Sequence, residues 1–330
     1  MKIHQIINSY NIEAGGAERL VVSIHDFISK KNQHSSCFGI LKVKKIIQGC
    51  NSAELKKVYS FKAFISILKY FNEHVCDSDI VHSHLFPSNF YCSIIKLLGL
   101  TKARLITTEH STSNRRRGRF FGKIIDYITY YPCDQIICIS HGVKKSLTDW
   151  MPFSAEKIKI INNGIKLYKK LRTKKKHNKT LKIISVGSLR DVKNYDKAIM
   201  AMSKIKNLNF SWLIAGSGNL LNPLLKKVEK LKLEDKVFFL GFVDNVNDLL
   251  DDSDIFLIPS KWEGFGLSAV EAMHSSLPII ASDVDGLKQV VHSEPPSALY
   301  VDPNDEDDIS DKVKMLLRLI KKIVLFLKNQ

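Results

Sequence analysis

Along the chain, short apolar runs alternate with longer stretches in which apolar residues recur at helical spacing. The short runs predict strands: "KIHQIIN", "DIVHSH", "RLITTEH" and "QIICIS" in the first half, then "LKIISVGSL", "FSWLIAG", "VFFLGF", "DIFLIPS" and "PIIASD" in the second. Such strands, each followed by a helical pattern, are the βαβ signature of parallel sheets wrapped by helices. The alternation breaks at "NNGIKLYKKLRTKKKHNKT", which is basic, poor in apolar residues after Leu171 and followed by a fresh buried strand. The predicted fold is therefore α/β, with two Rossmann-like domains, 1–165 and 181–330, joined by a basic linker at 166–180. In open sheets of this kind ligands bind beyond the carboxyl ends of the strands, so two such faces looking at each other predict one interdomain cleft.

Size and composition agree with this picture. A chain of 330 residues, 45% of them hydrophobic, is long for one domain and can bury a large core. No apolar run reaches the roughly 18 residues that span a bilayer, and "MKIHQIINSY" alternates like a first strand instead of showing a signal peptide's apolar stretch, so a cytoplasmic protein is expected. The six cysteines lack a CxxC pair and read as reduced packing residues.

Charge adds a partner class. The formal net charge of +17 is concentrated in "RRRGR" at 115 to 119, in the linker, and in a tail from Lys312 onward. Such excess suggests a polyanionic partner: nucleic acid, anionic lipid or a phosphorylated substrate. The basic runs have no interleaved aromatics for base stacking, which argues against nucleic acid. The last helix, "DISDKVKMLLRLIKKIVLFLKNQ", sets apolar bulk among basic flanks. It reads equally as a helix lying on anionic lipid and as an ordinary packing helix.

The candidate chemistry gathers at the predicted strand ends. In "PSKWEGFGLSAVEAM" a strand ends at Pro259, a glycine turn follows, and a helix begins near Leu267. Glycines admit close backbone approach, and the free amides of a helix start favour an anion. Glu263 and Glu271 need not be acids or bases there, because carboxylates are natural acceptors for pairs of sugar hydroxyls. "SVGSLRDVKN" places Gly187 at a tight strand end with Arg190 and Lys193 just beyond, suited to holding a diphosphate and stabilising its growing charge as it leaves. Gly15 and Gly16 in "GGAER" open a helix after the first strand, without the spacing of a dinucleotide fingerprint. His110 ends "RLITTEH", where an imidazole can donate to a substrate oxygen. His82 and His84 share one side of a strand end but have no third ligand in register, and the three Asp-x-Asp runs suit turns, so no metal site is expected.

Taken together and in order, "GGAER", "TEH", "NNGI", "VGSLRDVKN", "GSGN" and "PSKWEGFGLSAVEAM" resemble the retaining glycosyltransferases of family 4, the glycosyl transferases group 1, over about residues 1 to 305. The resemblance implies the two-Rossmann GT-B fold. It implies that Glu263 holds hydroxyls of the donor sugar and Glu271 the ribose hydroxyls. Arg190 and Lys193 then bind the diphosphate, helped by amides at Phe265, Gly266 and Leu267 and by the Gly15 and Gly16 loop. His110 matches the family histidine near the donor sugar. The turn at Gly216 to Gly218 and the segment around Phe242 approach ribose and base.

The activity so implied is retaining, metal-independent transfer of a hexose or N-acetylhexosamine from a nucleotide-diphosphate sugar, a UDP-sugar by preference. That sugar is a co-substrate, and no cofactor is implied. The expected acceptor is a cell-surface glycan: a lipid-linked oligosaccharide, an O-antigen or capsule unit, or lipopolysaccharide core. The expected location is cytoplasmic and peripheral on the inner face of the plasma membrane. Two other readings stay open: a nucleotide-sugar epimerase of similar fold, and a non-enzymatic polyanion or membrane-surface binder with a relic donor site. The sequence departs from the family pattern at Ser276 and Leu277, before the proline of "LPII", and at Gln289, where a glutamate is usual. It also ends after one long basic helix, where the family usually continues, so either that helix substitutes for the missing ones or domain docking is weakened.

Overall fold

The structure is a computed structural model describing residues 1–13, 15–31, 34–43, 47–168, 180–292 and 298–328, the last five by backbone alone. The chain forms two compact units, Met1–Asn163 and Gly164–Gln330. The run 169–179 of the expected linker lies outside the described residues.

In the N-terminal unit the elements are β1 (Ile3–Ile7), α1 (Gly16–Lys30), β2 (Ser35–Leu41), β3 (Cys50–Leu55), α2 (Phe61–His74), β4 (Ile80–His84), α3 (Ser88–Leu97), β5 (Arg104–Glu109), α4 (Phe120–Tyr130), β6 (Gln135–Cys138), α5 (His141–Trp150) and β7 (Ile158–Ile160). Among the described residues the strands pair in parallel in the order β3-β2-β1-β4-β5-β6-β7. Helices α2 and α5 start where a serine hydroxyl replaces a missing backbone partner. Ser60 accepts from the Ala63 amide at 3.2 Å, and Ser140 from the Val143 amide at 3.2 Å.

The C-terminal unit holds β8 (Leu181–Val186), α6 (Tyr195–Lys204), β9 (Phe210–Ala215), α7 (Leu221–Lys230), β10 (Val237–Gly241), α8 (Asn247–Asp251), β11 (Ile255–Ile258), α9 (Leu267–His274), β12 (Ile279–Ser282), α10 (Asp285–Val291), β13 (Ala298–Val301) and α11 (Glu306–Lys328). Its described strands are again parallel, in the order β10-β9-β8-β11-β12-β13. Trp212 is fully buried at its centre and donates to Ser185 Oγ at 3.0 Å, so the indole adds its apolar area without stranding its N–H.

Both sheets reverse strand order beside their first strand, between β1 and β4 and between β8 and β11. At such switch points the loops diverge and leave a crevice. The expected α/β class of two parallel, Rossmann-like sheets is what the chain adopts. Strands β2, β3, β7 and β13 were not among those predicted. Three of them lie at sheet edges, and in β3 and β7 exposed polar positions interrupt the apolar run that marks a strand.

The Asp-x-Asp runs are used within the fold. Asp79 accepts from the amides of Lys2 and Cys76 at 2.7 and 2.9 Å, Asp254 accepts from the Lys182 amide at 2.8 Å, and Asp283 pairs with Lys288. The first half of α11 packs, burying Ile309, Val313, Leu316 and Leu317 in the C-terminal core. Its first turn pairs with α6 through Lys197–Glu306 at 3.1 Å and Lys204–Asp307 at 2.7 Å. Side chains beyond Ile323, including Val324, Phe326 and Leu327, lie outside the description. Among the described residues no helix is long and apolar enough to cross a membrane.

Candidate functional site

The loops at the β8/β11 switch point bring together most of the residues singled out in the sequence. After β8, the Gly187 amide donates to Ala215 O at 3.0 Å and the Leu189 amide to Ser217 O at 2.9 Å. These bonds lay the 187–189 strand end against the 216–218 turn. The approach is so close that a β-carbon on Gly216 would lie 1.9 Å from Gly187 O, and one on Gly218 2.3 Å from Leu189 O. Only glycine fits there. The Gly216 amide in turn donates to Gly241 O at 2.7 Å, which brings the half-buried Phe242 beside the same turn.

The next loop closes on a charged pair. The Lys261 amide donates to Val192 O at 2.9 Å, stitching the loop after β11 to the loop after β8. Lys193 Nζ then reaches Glu263 Oε1 at 2.5 Å, and Ser260 Oγ donates to the same oxygen at 2.8 Å. Both partners of the pair are under a fifth exposed, 19% for Lys193 and 12% for Glu263. Arg190, in the same loop, is exposed. Gly266 caps α9 in the left-handed region, φ 84°, with Phe265 buried before it and Leu267 as the first helical residue. Amides in a first helical turn have no intrahelical acceptor and face outward along the axis, where an anion is favoured. Glu271 follows one turn into α9 and is half-buried.

At the carboxyl end of the N-terminal sheet the structure places Gly15, Gly16 and His110. Gly15 is the extended cap of α1 and Gly16 its first residue. His110 follows β5 and joins a hydrogen-bonded chain with the buried His84. His84 Nε2 lies 2.7 Å from Gln5 Oε1, and His84 Nδ1 lies 3.1 Å from His110 Nε2. Gln5 Nε2 is buried without a partner, so the chain can run in either direction, according to which end of the amide meets His84.

His82, beside His84 with ring centroids 4.1 Å apart, bonds Thr108 Oγ1 at 2.7 Å. Burial pulls the pKa of His82 down to about 3, helped by His110, and that of His110 to about 4. Burial, then the neighbouring His82 and His110, hold His84 well below the usual imidazole value. All three rings are neutral at neutral pH. Among the described residues no three His, Cys, Asp or Glu side chains group so as to hold a metal ion.

Four residues of this arrangement were not assigned from sequence. Ser260 stands inside a quoted motif, with nothing in its type to mark it. Gly286 lies in the first turn of α10, where a β-carbon would come 2.1 Å from Glu263 O, so α10 abuts the backbone that carries the glutamate. Gln5 and His84 had a visible signal: polar residues in apolar strands, both with 0% exposure.

The profile described as Glycosyl transferases group 1 matches residues 168–322, and that described as Glycosyltransferase Family 4 matches residues 15–169. An uncharacterised glycosyltransferase of Methanocaldococcus jannaschii is 29% identical over 260 residues, 72% of this chain and 66% of that protein. An O-antigen biosynthesis glycosyltransferase of Escherichia coli is 27% identical across 64% of this chain and 63% of its own length. The chain therefore spans slightly under two thirds of each of these two relatives. The N-acetylgalactosamine-N,N'-diacetylbacillosaminyl-diphospho-undecaprenol 4-alpha-N-acetylgalactosaminyltransferase of Campylobacter jejuni is 24% identical across 93% of this chain and 88% of its own. Among solved structures, Anabaena HepE in complex with UDP-glucose has the same fold, with a TM-score of 0.82 at 16% identity over 98% of this chain and 91% of that one. Matched along both halves and built as two parallel sheets with glycine-bounded loops at their switch points, the chain belongs to the group 1 glycosyltransferases, of the family 4 type.

Proposed function

We propose that the protein transfers a hexose or N-acetylhexosamine from a UDP-sugar to a lipid-linked or other cell-surface glycan, with retention at the anomeric carbon. The observation that carries this reading is the Lys193–Glu263 pair, at 2.5 Å between two loops at the switch point. Lysine and glutamate there match the two ends of a nucleotide-diphosphate sugar, a diphosphate and a hydroxylated ring. UDP-glucose in the crystal structure of HepE supports the donor class, and the activity for which the Campylobacter relative is named supports a diphospho-lipid acceptor.

In this reading the C-terminal unit holds the donor and the N-terminal unit the acceptor. Glu263 holds sugar hydroxyls, using Oε2, the oxygen engaged by neither Lys193 nor Ser260. Lys193, Arg190 and the α9 amides stabilise charge that grows on the departing diphosphate, and Glu271 takes the ribose. The acceptor oxygen forms its bond to the anomeric carbon as the bond to the phosphate oxygen breaks. The acceptor's proton passes to that phosphate oxygen, so no side chain serves as general base and catalysis is positioning plus charge stabilisation. His110 hydrogen-bonds a sugar hydroxyl.

The test is nucleotide release by the purified protein from a panel of UDP-, GDP- and ADP-sugars, with lipid extract as acceptor, with and without EDTA. Release from one donor that survives EDTA, with an anomeric configuration in the product matching the donor's, is expected. A product of inverted configuration, loss of turnover in EDTA, or epimerised sugar without transfer would each overturn a named part of the reading.

A further inference from the structure

The basic run at 115 to 119 divides in the structure. Arg116 and Arg117 turn inward. Arg116 Nε donates to the buried Asp126 at 2.6 Å and its guanidinium stacks 3.9 Å over Phe86, while Arg117 donates to Thr112 O and Ser146 Oγ. Arg115 and Arg119 point out, followed by the exposed Lys123. The helix they lead into carries an uncovered apolar stripe: Phe120 and Phe121 are each 76% exposed, Ile124 45%, Tyr127 46% and Tyr131 50%. Their spacing of one, three or four residues sets them along one side of α4, opposite the face that buries Gly122, Asp126, Thr129 and Tyr130.

We propose that this face of α4 docks the protein on an anionic lipid bilayer, with Phe120 and Phe121 entering the interface and Arg115, Arg119 and Lys123 against the headgroups. Large apolar side chains left in water, rimmed by cations, fit a helix that lies in the plane of a membrane. Tyrosines at the far end suit the same boundary, with an apolar ring and a wet hydroxyl. Charge selects the occupant. Between Ser111 and Pro132 the single acid is Asp126, which is buried and held by Arg116 and by Trp150 Nε1 at 3.0 Å. A symmetric contact between two copies would set these cations against one another, whereas an anionic leaflet neutralises them. The surface is separate from the loops assigned to transfer, and its test does not depend on turnover.

The experiment is co-sedimentation of the full chain with vesicles of phosphatidylcholine alone or mixed with phosphatidylglycerol. Binding to the mixed vesicles and little to the neutral ones is expected. Arg115→Ala with Arg119→Ala and Lys123→Ala should weaken it on the order of a hundredfold, about fivefold per charge. Phe120→Ser with Phe121→Ser should weaken it at least about tenfold. Arg318→Ala with Lys321→Ala and Lys322→Ala, on α11, should leave it unchanged, as should Glu263→Ala, which separates docking from transfer. Equal melting temperatures confirm that the surface variants fold. Binding that survives both α4 variants, or follows the α11 charges, overturns the proposal. A concentration-dependent dimer broken by the phenylalanine changes reassigns the face to a second copy.

Discussion

The carboxyl ends of the two sheets have the same topology and opposite chemistry. Beside β8 and β11 stand a lysine and a glutamate in contact, on glycine-bounded loops that keep both partly wet. Beside β4 and β5 stand three neutral histidines, of which His84 and His110 are joined through ring nitrogens to a buried glutamine. A charge can be kept where water or a counter-ion remains near, and is expelled where neither does. One strand end is therefore suited to an anion that gains charge during a reaction, and the other to uncharged hydroxyls that must be oriented.

The largest effects should come from breaking the charged end. Lys193→Ala and Glu263→Ala are each expected to lower turnover by roughly a hundred- to a thousandfold, the scale of removing one preorganised charge-stabilising group. Nucleotide release beside a thermal melt distinguishes lost chemistry from lost fold. Near-normal turnover in both variants would end the distinction drawn between the two sheets.

Next is the backbone beneath Glu263. Gly286→Ala forces a methyl against its carbonyl and is expected to cost about 1–3 kcal/mol of stability, read from urea unfolding, and to raise KM for the donor.

The histidine end should appear as a pH dependence of stability. The folded pKa values of His82 and His110 lie near 3 and 4, below the ordinary 6.5. Below pH 6.5 the unfolded chain binds protons that the folded chain refuses. Stability is therefore full above that pH and falls as pH drops toward 4, by up to about 1.4 kcal/mol per pH unit for each histidine. Denaturant titrations between pH 7 and 4.5 should show this slope in the wild type and a shallower one in His82→Gln.

The smallest effect belongs to Gln5. Gln5→Leu removes the partner of His84 Nε2, so ring nitrogen NMR shifts of His84 and His110 should report a change of tautomer. The same change should cost turnover about fivefold, the worth of one hydrogen bond near 1 kcal/mol.

These contrasts were unevenly legible in the sequence. A strand such as β11 was plain because burial on both faces makes it continuous in apolar residues. Edge strands such as β3, with one buried residue, had no such pattern. The types and order of Arg190, Lys193, Glu263 and Glu271 were readable because they sit in loops whose glycines announce a turn. That Lys193 touches Glu263 was not, since the two are 70 residues apart and meet only through the β8–β11 pairing. Gln5, His84 and His110 likewise come from three separate strand regions, and only their burial together shows that they form one chain.

Immediately after Lys193 the backbone turns left-handed at Asn194, φ 57°, whose buried side chain donates to Pro303 O at 2.7 Å, just before α11. The lysine is thus moored to the last helix through one amide group. In mechanical terms α11 is a lever whose fulcrum lies one residue from the charged pair. A force acting on that helix would pass to the backbone beside Lys193, and so to its contact with Glu263.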